Sequence, residues 1–160
     1  MVIKVNNETI EVEQRAGYAY ITREWTQDDS VVISIEMPVM KVKSNPLVRE
    51  NIGKVALQRG PLVYCLEEAD NGKNLHQLFL ASNTEFEVVH DEDFLSGLTV
   101  ITAKGYKIDN TDWNNNLYKT DVEIKSTPAT LKFIPYFAWA NRGVGEMTVW
   151  VNEDKPFSCK

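Results

Sequence analysis

The chain has 160 residues, 43% of them apolar and 25% charged, which is the composition of a globular rather than a disordered protein. Seventeen basic against 23 acidic residues give a net charge of −6, and no Lys/Arg run forms a basic patch, so nucleic acid and anionic membrane surfaces are excluded as natural partners. No apolar run approaches the ~20 residues a membrane span needs, and a chain of this length buries roughly 70% of its unfolded surface without a disulfide or metal staple.

In chain order the first four segments read as short strands: Val2–Val5, Thr9–Glu13, Tyr18–Thr22 and Val31–Met37. Asn6-Asn7 links the first two as a hairpin turn, because Asn tolerates positive φ better than most residues. Gln27-Asp28-Asp29-Ser30 is a second polar turn, and Pro38 ends the fourth strand or marks an edge. Met40–Lys43 alternates again before Ser44-Asn45-Pro46 breaks it, and Ser44–Gly53 is the best domain boundary. The stretch Lys54–Glu67 carries an apolar run on each side of Arg59-Gly60-Pro61. Its second half, Leu62–Leu66, has no polar interruption, so it reads as a strand covered on both faces. Leu78–Leu80, Phe86–Val89, Leu98–Lys104, Val122–Lys125, Leu131–Ile134 and Met147–Val151 complete the set, with Asp109–Asn116 as a long polar loop. No segment of ten or more residues shows a 3.6-residue repeat. About a dozen short strands between turns predict an all-β, antiparallel sandwich.

Candidate chemistry is sparse. Paired carboxylates serve most glycosidases, but among 23 acids a suggestive pair is inevitable, and Glu67-Glu68 reads as a solvated strand end. Asp109–Asn116 is rich in side-chain oxygens, yet a calcium loop of the EF-hand type needs Gly and Glu where this chain has Asn114 and Thr120. Trp113 within that loop is a candidate sugar-stacking platform or a lid over the sheet edge. Cys65 lies in the most apolar strand and reads as an inert thiol, and neither His76 nor His90 is linked to a nucleophile. Two lone cysteines, Cys65 and Cys159, form neither a disulfide framework nor a zinc pattern, and the opening Met-Val-Ile-Lys-Val-Asn-Asn has no signal-peptide character. Together these point to a reduced, cytoplasmic chain. The segment Phe133–Trp150 packs five aromatic residues around Gly143-x-Gly145. It reads as a hairpin with Arg142 and Glu146 paired across it, or as a surface patch of Tyr136, Trp139, Arg142 and Glu146 facing a partner.

Two stretches, Val55–Glu67 and Pro135–Trp150, resemble the C-terminal β-sandwich region of glycoside hydrolase family 127, the β-L-arabinofuranosidase-like proteins. Gly17–Trp25 and Met37–Met40 resemble the strands that precede it there. The resemblance implies a jelly-roll-like sandwich over residues 54–160, preceded in 1–53 by the end of another sandwich, all cut from a longer polypeptide. It implies that the family's (α/α)-barrel, with its cysteine nucleophile, zinc site and acid/base glutamate, is absent from this chain. No catalytic, cofactor-binding or metal-ligating residue carries over onto these positions. The expected role is therefore a non-catalytic module that packs against and supports the absent barrel and takes part in a possible homodimer. The alternative is a carbohydrate-binding module using exposed Trp residues.

Overall fold

A computed structural model describes residues 1–121 and 123–154. Cys159 lies outside the described residues. The chain divides into two compact units, Met1–Pro38 and Val39 onward, each described by itself.

In the first unit, β1 (Val2–Val5) pairs antiparallel with β2 (Glu8–Thr9) on one side and β5 (Val31–Ser34) on the other. β3 (Glu13–Arg15) and β4 (Tyr18–Tyr20) form a separate hairpin. Asn6 and Asn7 both take positive φ, 49° and 69°, and Val5 faces Glu8, which is the two-residue turn expected from the sequence. The segment expected as one strand over Thr9–Glu13 is split, with β2 ending at Thr9 and β3 starting at Glu13. Asp29 holds the polar turn closed: Asn6 Nδ2 donates to Oδ1 at 2.6 Å and the Thr26 N–H to Oδ2 at 2.8 Å. Ile3 and Val5 are the buried apolar residues of this unit.

The second unit is one closed sheet. β7 (Lys54–Arg59), β8 (Leu62–Glu67), β12 (Ser126–Pro135), β11 (Leu98–Ile108), β9 (Leu78–Ala81) and β14 (Val151–Asp154) pair in that order, and β14 returns to β7. Three short strands extend the ring where a neighbour runs out: β6 (Val39–Val42) on β7, β10 (Phe86–Asp91) on β11 and β13 (Met147–Thr148) on β8. The chain is all-β, as its turn-punctuated pattern predicts. The pairing departs from a purely antiparallel sheet at one place, since β14 runs parallel to β9. Hydrogen bonding defines a ring rather than two separate layers.

Every ring strand points residues inward. Val55, Leu57, Tyr64, Leu66, Leu78, Leu80, Ile101, Ala103, Leu131, Phe133 and Val151 form the enclosed core with Leu75. A second cluster, Cys65, Val100, Ile134 and Ala138, lies on the opposite face of β8, β11 and β12, covered by Phe94, Leu95, Leu98, Met147 and Val149. Successive side chains of a strand point to opposite faces, so Tyr64 and Leu66 serve one core and Cys65 the other. That is why Leu62–Leu66 reads as an unbroken apolar run. Gly60, at φ 56°, and Pro61 make the two-residue connection between β7 and β8, with Arg59 facing Leu62.

Several boundaries move. The domain boundary expected near residue 53 falls inside the second unit, because Val39–Val42 pairs with β7 through Val39↔Arg59 to Val42↔Ala56. Residues 44–53 are a connection carrying a short 3₁₀ turn, Arg49–Asn51. No strand forms over 123–125; Val122 lies outside the described residues, and Lys125 instead anchors the loop, its carbonyl accepting the Asp109 N–H at 2.9 Å. The strand expected over Met147–Val151 is split at 149–150, where the Thr148 hydroxyl donates to the Trp150 carbonyl at 2.9 Å. One α-helical turn, α1 (Glu68–Asn71), follows β8 and ends at Gly72, whose φ is 73°.

Candidate functional site

The aromatic segment begins where Pro135 closes β12. Residues Tyr136–Ala138 form a 3₁₀ turn, and the Trp139 N–H donates back to the Tyr136 carbonyl at 3.1 Å. This turn presses Ala138 into the outer core while leaving its neighbours outside. Tyr136 and Trp139 are 46% and 41% exposed, with ring centroids 6.0 Å apart and planes at 27°. Phe137 and Val144 are also exposed, so the segment presents a small apolar patch.

Arg142 fixes the loop behind this patch. Its Nη1 donates to Asp70 Oδ1 at 2.8 Å, and its Nη2 donates to both Asp70 Oδ2 and Glu67 Oε2. Glu67 is 6% exposed, and its other oxygen accepts the Ala140 N–H at 2.9 Å. Lys132 Nζ reaches Asp70 Oδ1 at 3.4 Å. Both cations sit over the Phe94 ring, Lys132 Nζ at 3.7 Å and the Arg142 guanidinium at 4.7 Å from its centroid. Asn71 ties the same corner to β12: its Nδ2 donates to the Glu67 and Lys132 carbonyls, and its Oδ1 accepts the Lys132 N–H at 2.9 Å. Burial alone would push the Asp70 carboxyl up, but hydrogen bonding from Arg142 and the charges of Arg142 and Lys132 hold it below the usual carboxylate range. Hydrogen bonding to Asp70 raises Arg142 further above its ordinary value, against the opposing effect of burial.

The expected Arg142–Glu146 pair across the glycine turn is not made. Arg142 turns inward to β8 and α1, while the Glu146 carboxylate accepts the N–H groups of Asn74 and Leu75 at 2.9 and 2.8 Å. Those two bonds hold Glu146 below the usual carboxylate range. The Glu146 backbone also pairs with Glu68, its carbonyl accepting the Glu68 N–H at 2.9 Å and its N–H donating to Glu68 Oε2 at 3.0 Å. Glu146 borders an open hollow of about 460 Å³ with Lys54, His76, Trp150 and Asn152. Glu67, expected as part of a solvated strand end, is instead buried and ion-paired. The aromatic patch and Arg142 thus belong together, whereas Glu146 serves a neighbouring loop. Trp113 lies in a different loop, half-buried in the 3₁₀ turn Thr111–Trp113, where Asp109 Oδ1 accepts the Thr111 N–H at 2.8 Å and Lys125 pairs with Asp112 at 2.6 Å.

Nothing in this corner is arranged as a nucleophile. Cys65 is fully buried, and desolvation, with Glu67 adding to it, pushes its thiol up to about 12. Among the described residues no three His, Cys, Asp or Glu side chains are grouped as a metal site, and no helix is long and apolar enough to cross a membrane.

Residues 39–152 match the glycoside hydrolase family 127 C-terminal domain. The chain belongs to glycoside hydrolase family 127. The family 127 stretch starts at the first residue of β6 and ends within β14, so it coincides with the closed sheet. A non-reducing end β-L-arabinofuranosidase of Bifidobacterium longum subsp. longum is 33% identical over 138 residues, covering 84% of this chain and 21% of the relative. The crystal structure of a family 127 β-L-arabinofuranosidase from Geobacillus stearothermophilus T6 superposes with a TM-score of 0.83 at 46% identity, covering 96% of this chain and 24% of that one. A second family 127 structure, described as a β-arabinofuranosidase, superposes at 0.81 with 35% identity, covering 96% and 23%. The chain spans about a quarter or less of the length of these relatives.

The structure brings Tyr136, Trp139 and Arg142 together in one corner, and sequence reasoning did not link them to the groups around Arg142: Glu67, Asp70, Asn71, Phe94 and Lys132. Glu67 and Asp70 stand three apart at the start of a helical turn, which places both on one side of it. Their partner Arg142 lies 72 to 75 residues later, between β12 and β13, and the pairing of both strands with β8 brings them together.

Proposed function

We propose that this chain is a non-catalytic β-structured module of a β-L-arabinofuranosidase-type glycosidase, packing against an (α/α)-barrel catalytic domain and holding it in place. The finer architecture of this reading is a jelly-roll-like sandwich preceded by the end of another sandwich. The observation that carries it is the exposed Tyr136/Phe137/Trp139 patch beside the buried ion pairs of Arg142 with Glu67 and Asp70. Arg142 gives both its terminal nitrogens to Asp70 and Glu67, leaving its buried Nε without a hydrogen-bond partner, and the three side chains position the patch rather than offer chemistry to a substrate. A rigidly mounted aromatic pair beside an arginine is the composition of an interface anchor. The inert state of Cys65 and the commitment of Glu146 to backbone N–H groups support a module without a nucleophile.

The test uses the remainder of the Geobacillus relative, produced as a separate polypeptide lacking the quarter matched here. On mixing, amide exchange over residues 136–142 slows, and Trp139→Ala weakens the complex at least tenfold. Exchange unchanged on mixing would count against the reading. A saturable tryptophan fluorescence change with arabinose-containing oligosaccharides, seen without the barrel, would favour sugar binding instead.

A further inference from the structure

The hollow that Glu146 borders lies away from the aromatic pair and has a composition of its own. Its volume of about 460 Å³ falls in the range of roughly 300–1,000 Å³ occupied by small-molecule sites. Segments far apart in the sequence wall it. Lys54 opens β7, Asn152 lies opposite it on β14, and residues 75–76 and residues between 146 and 150 supply the rest.

Its walls are held by their own hydrogen bonds. The Glu146 carboxylate accepts the Asn74 and Leu75 N–H groups, Asn152 Nδ2 donates to the His76 carbonyl at 2.9 Å, and the Thr148 hydroxyl donates to the Trp150 carbonyl at 2.9 Å. Walls fixed in this way present a preformed surface. Other polar groups at the hollow are left over. Among the described residues Lys54 Nζ, the Trp150 indole N–H and Asn152 Oδ1 make no hydrogen bond, and no carboxylate lies within ion-pair distance of Lys54. Lys54 is half-buried rather than fully in water. Glu146 likewise has no cation within ion-pair distance among the described residues, and each of its oxygens keeps a lone pair beyond the N–H it accepts. One hollow is thus bordered by two opposite charges that do not pair with each other.

That arrangement selects among ligands. A bare anion drawn to Lys54 is repelled by Glu146, and a bare cation drawn to Glu146 is repelled by Lys54. An uncharged ligand filling the hollow would strip water from both charges and pair neither, a cost without a return. A ligand carrying both charges meets both with charge-assisted hydrogen bonds. We propose that this hollow binds a small zwitterion, a free α-amino acid with an apolar side chain. Its carboxylate is held by Lys54 and the Trp150 indole N–H, its ammonium by Glu146 and Asn152 Oδ1, and its side chain lies against the half-buried Met147 and Trp150. This site goes beyond the supporting role of the module and does not depend on it.

Amide chemical shifts of the 160-residue chain, titrated with L-leucine, test this. The same titration is made with isoamylamine, which lacks the carboxylate, with 4-methylpentanoate, which lacks the ammonium, and with an uncharged methyl arabinofuranoside. L-leucine is expected to shift the amides of Leu75, His76, Met147 and Asn152 saturably, with a Kd on the order of 1 mM. The amine and the acid each bind at least tenfold more weakly. Lys54→Met removes no bond within the chain, so it leaves the thermal midpoint unchanged and lowers L-leucine affinity to that of isoamylamine. If that variant does not fold, Trp150→Phe, which keeps a ring and loses the indole N–H, is read for an affinity loss of about threefold against L-leucine. Equal affinity for isoamylamine or 4-methylpentanoate, a saturable response of the same amides to the uncharged arabinofuranoside, or no saturable shift with L-leucine would each overturn the proposal. The readout lies outside residues 136–142 and needs no catalytic domain, so either proposal can fail while the other stands.

Discussion

Arg142 is the residue on which the site turns. Its three hydrogen bonds join β8, α1 and the loop that follows the aromatic pair, and Glu67 beside it is almost wholly buried. Removing one partner from such a pair leaves an uncompensated charge in a poorly solvated place. Arg142→Ala therefore lowers stability by about 3 kcal/mol in urea unfolding and loosens residues 139–142 in hydrogen exchange. A pH dependence follows from Asp70. Its folded value is depressed by Arg142 and Lys132, so its contribution is fully present above the ordinary carboxylate range and is lost as pH falls through and below it. The urea midpoint is expected to fall between about pH 5 and pH 2, and Asp70→Asn to flatten part of that fall. Cys65 supplies an independent check on the outer core. In a Cys159→Ser background its thiol resists iodoacetamide at pH 8 and is alkylated only under denaturing conditions; rapid alkylation of the native chain would show that the outer core is open.

Among the elements, β11 shows how one residue sets a strand. A Cβ on Gly105 would overlap the Phe79 carbonyl oxygen and stand 2.5 Å from Leu131 Cδ1. The gap lets β9 lie against β11 at Gly105↔Leu80 and carries the strand on to Ile108, beyond the Lys104 end read from the sequence. Gly105→Ala forces these strands apart and costs about 2–3 kcal/mol by urea unfolding, whereas an unchanged midpoint would mean the strands yield freely. The same contrast explains what the sequence made legible. Asn6-Asn7, Gly60-Pro61 and the unbroken run Leu62–Leu66 carry local signals, because turn chemistry and two-sided burial act on neighbouring residues. The ring closure of β14 onto β7 and β9, the true start of the second unit at Val39, and the inward turn of Arg142 all depend on residues far apart in the chain. Arg142 and Glu146 looked like natural partners at four residues' distance, yet backbone N–H groups at 74 and 75 compete for Glu146 and two carboxylates for Arg142. Local spacing offers no way to rank those rivals.

For the molecule as a whole, the enclosed core of the ring and the thin first unit are different kinds of object. Residues from 39 onward bury a continuous core within a closed sheet, which leaves few open edges. Residues 1–38 have Ile3 and Val5 and an open strand. A chain beginning at Val39 is accordingly expected to unfold with nearly the full cooperativity of the 160-residue chain; loss of a cooperative transition would show that the closed sheet depends on the first unit. The central claim, that this family 127 chain supports a catalytic domain without doing chemistry itself, is tested most directly by reconstitution. The remainder of the Geobacillus relative, lacking the matched quarter, is assayed on a p-nitrophenyl arabinofuranoside with and without this chain. The account predicts no turnover by the chain alone, and a rise in activity and thermal midpoint of the remainder when the chain is added. Turnover by the chain alone, lost in Glu146→Gln, or a remainder indifferent to the chain, would contradict it.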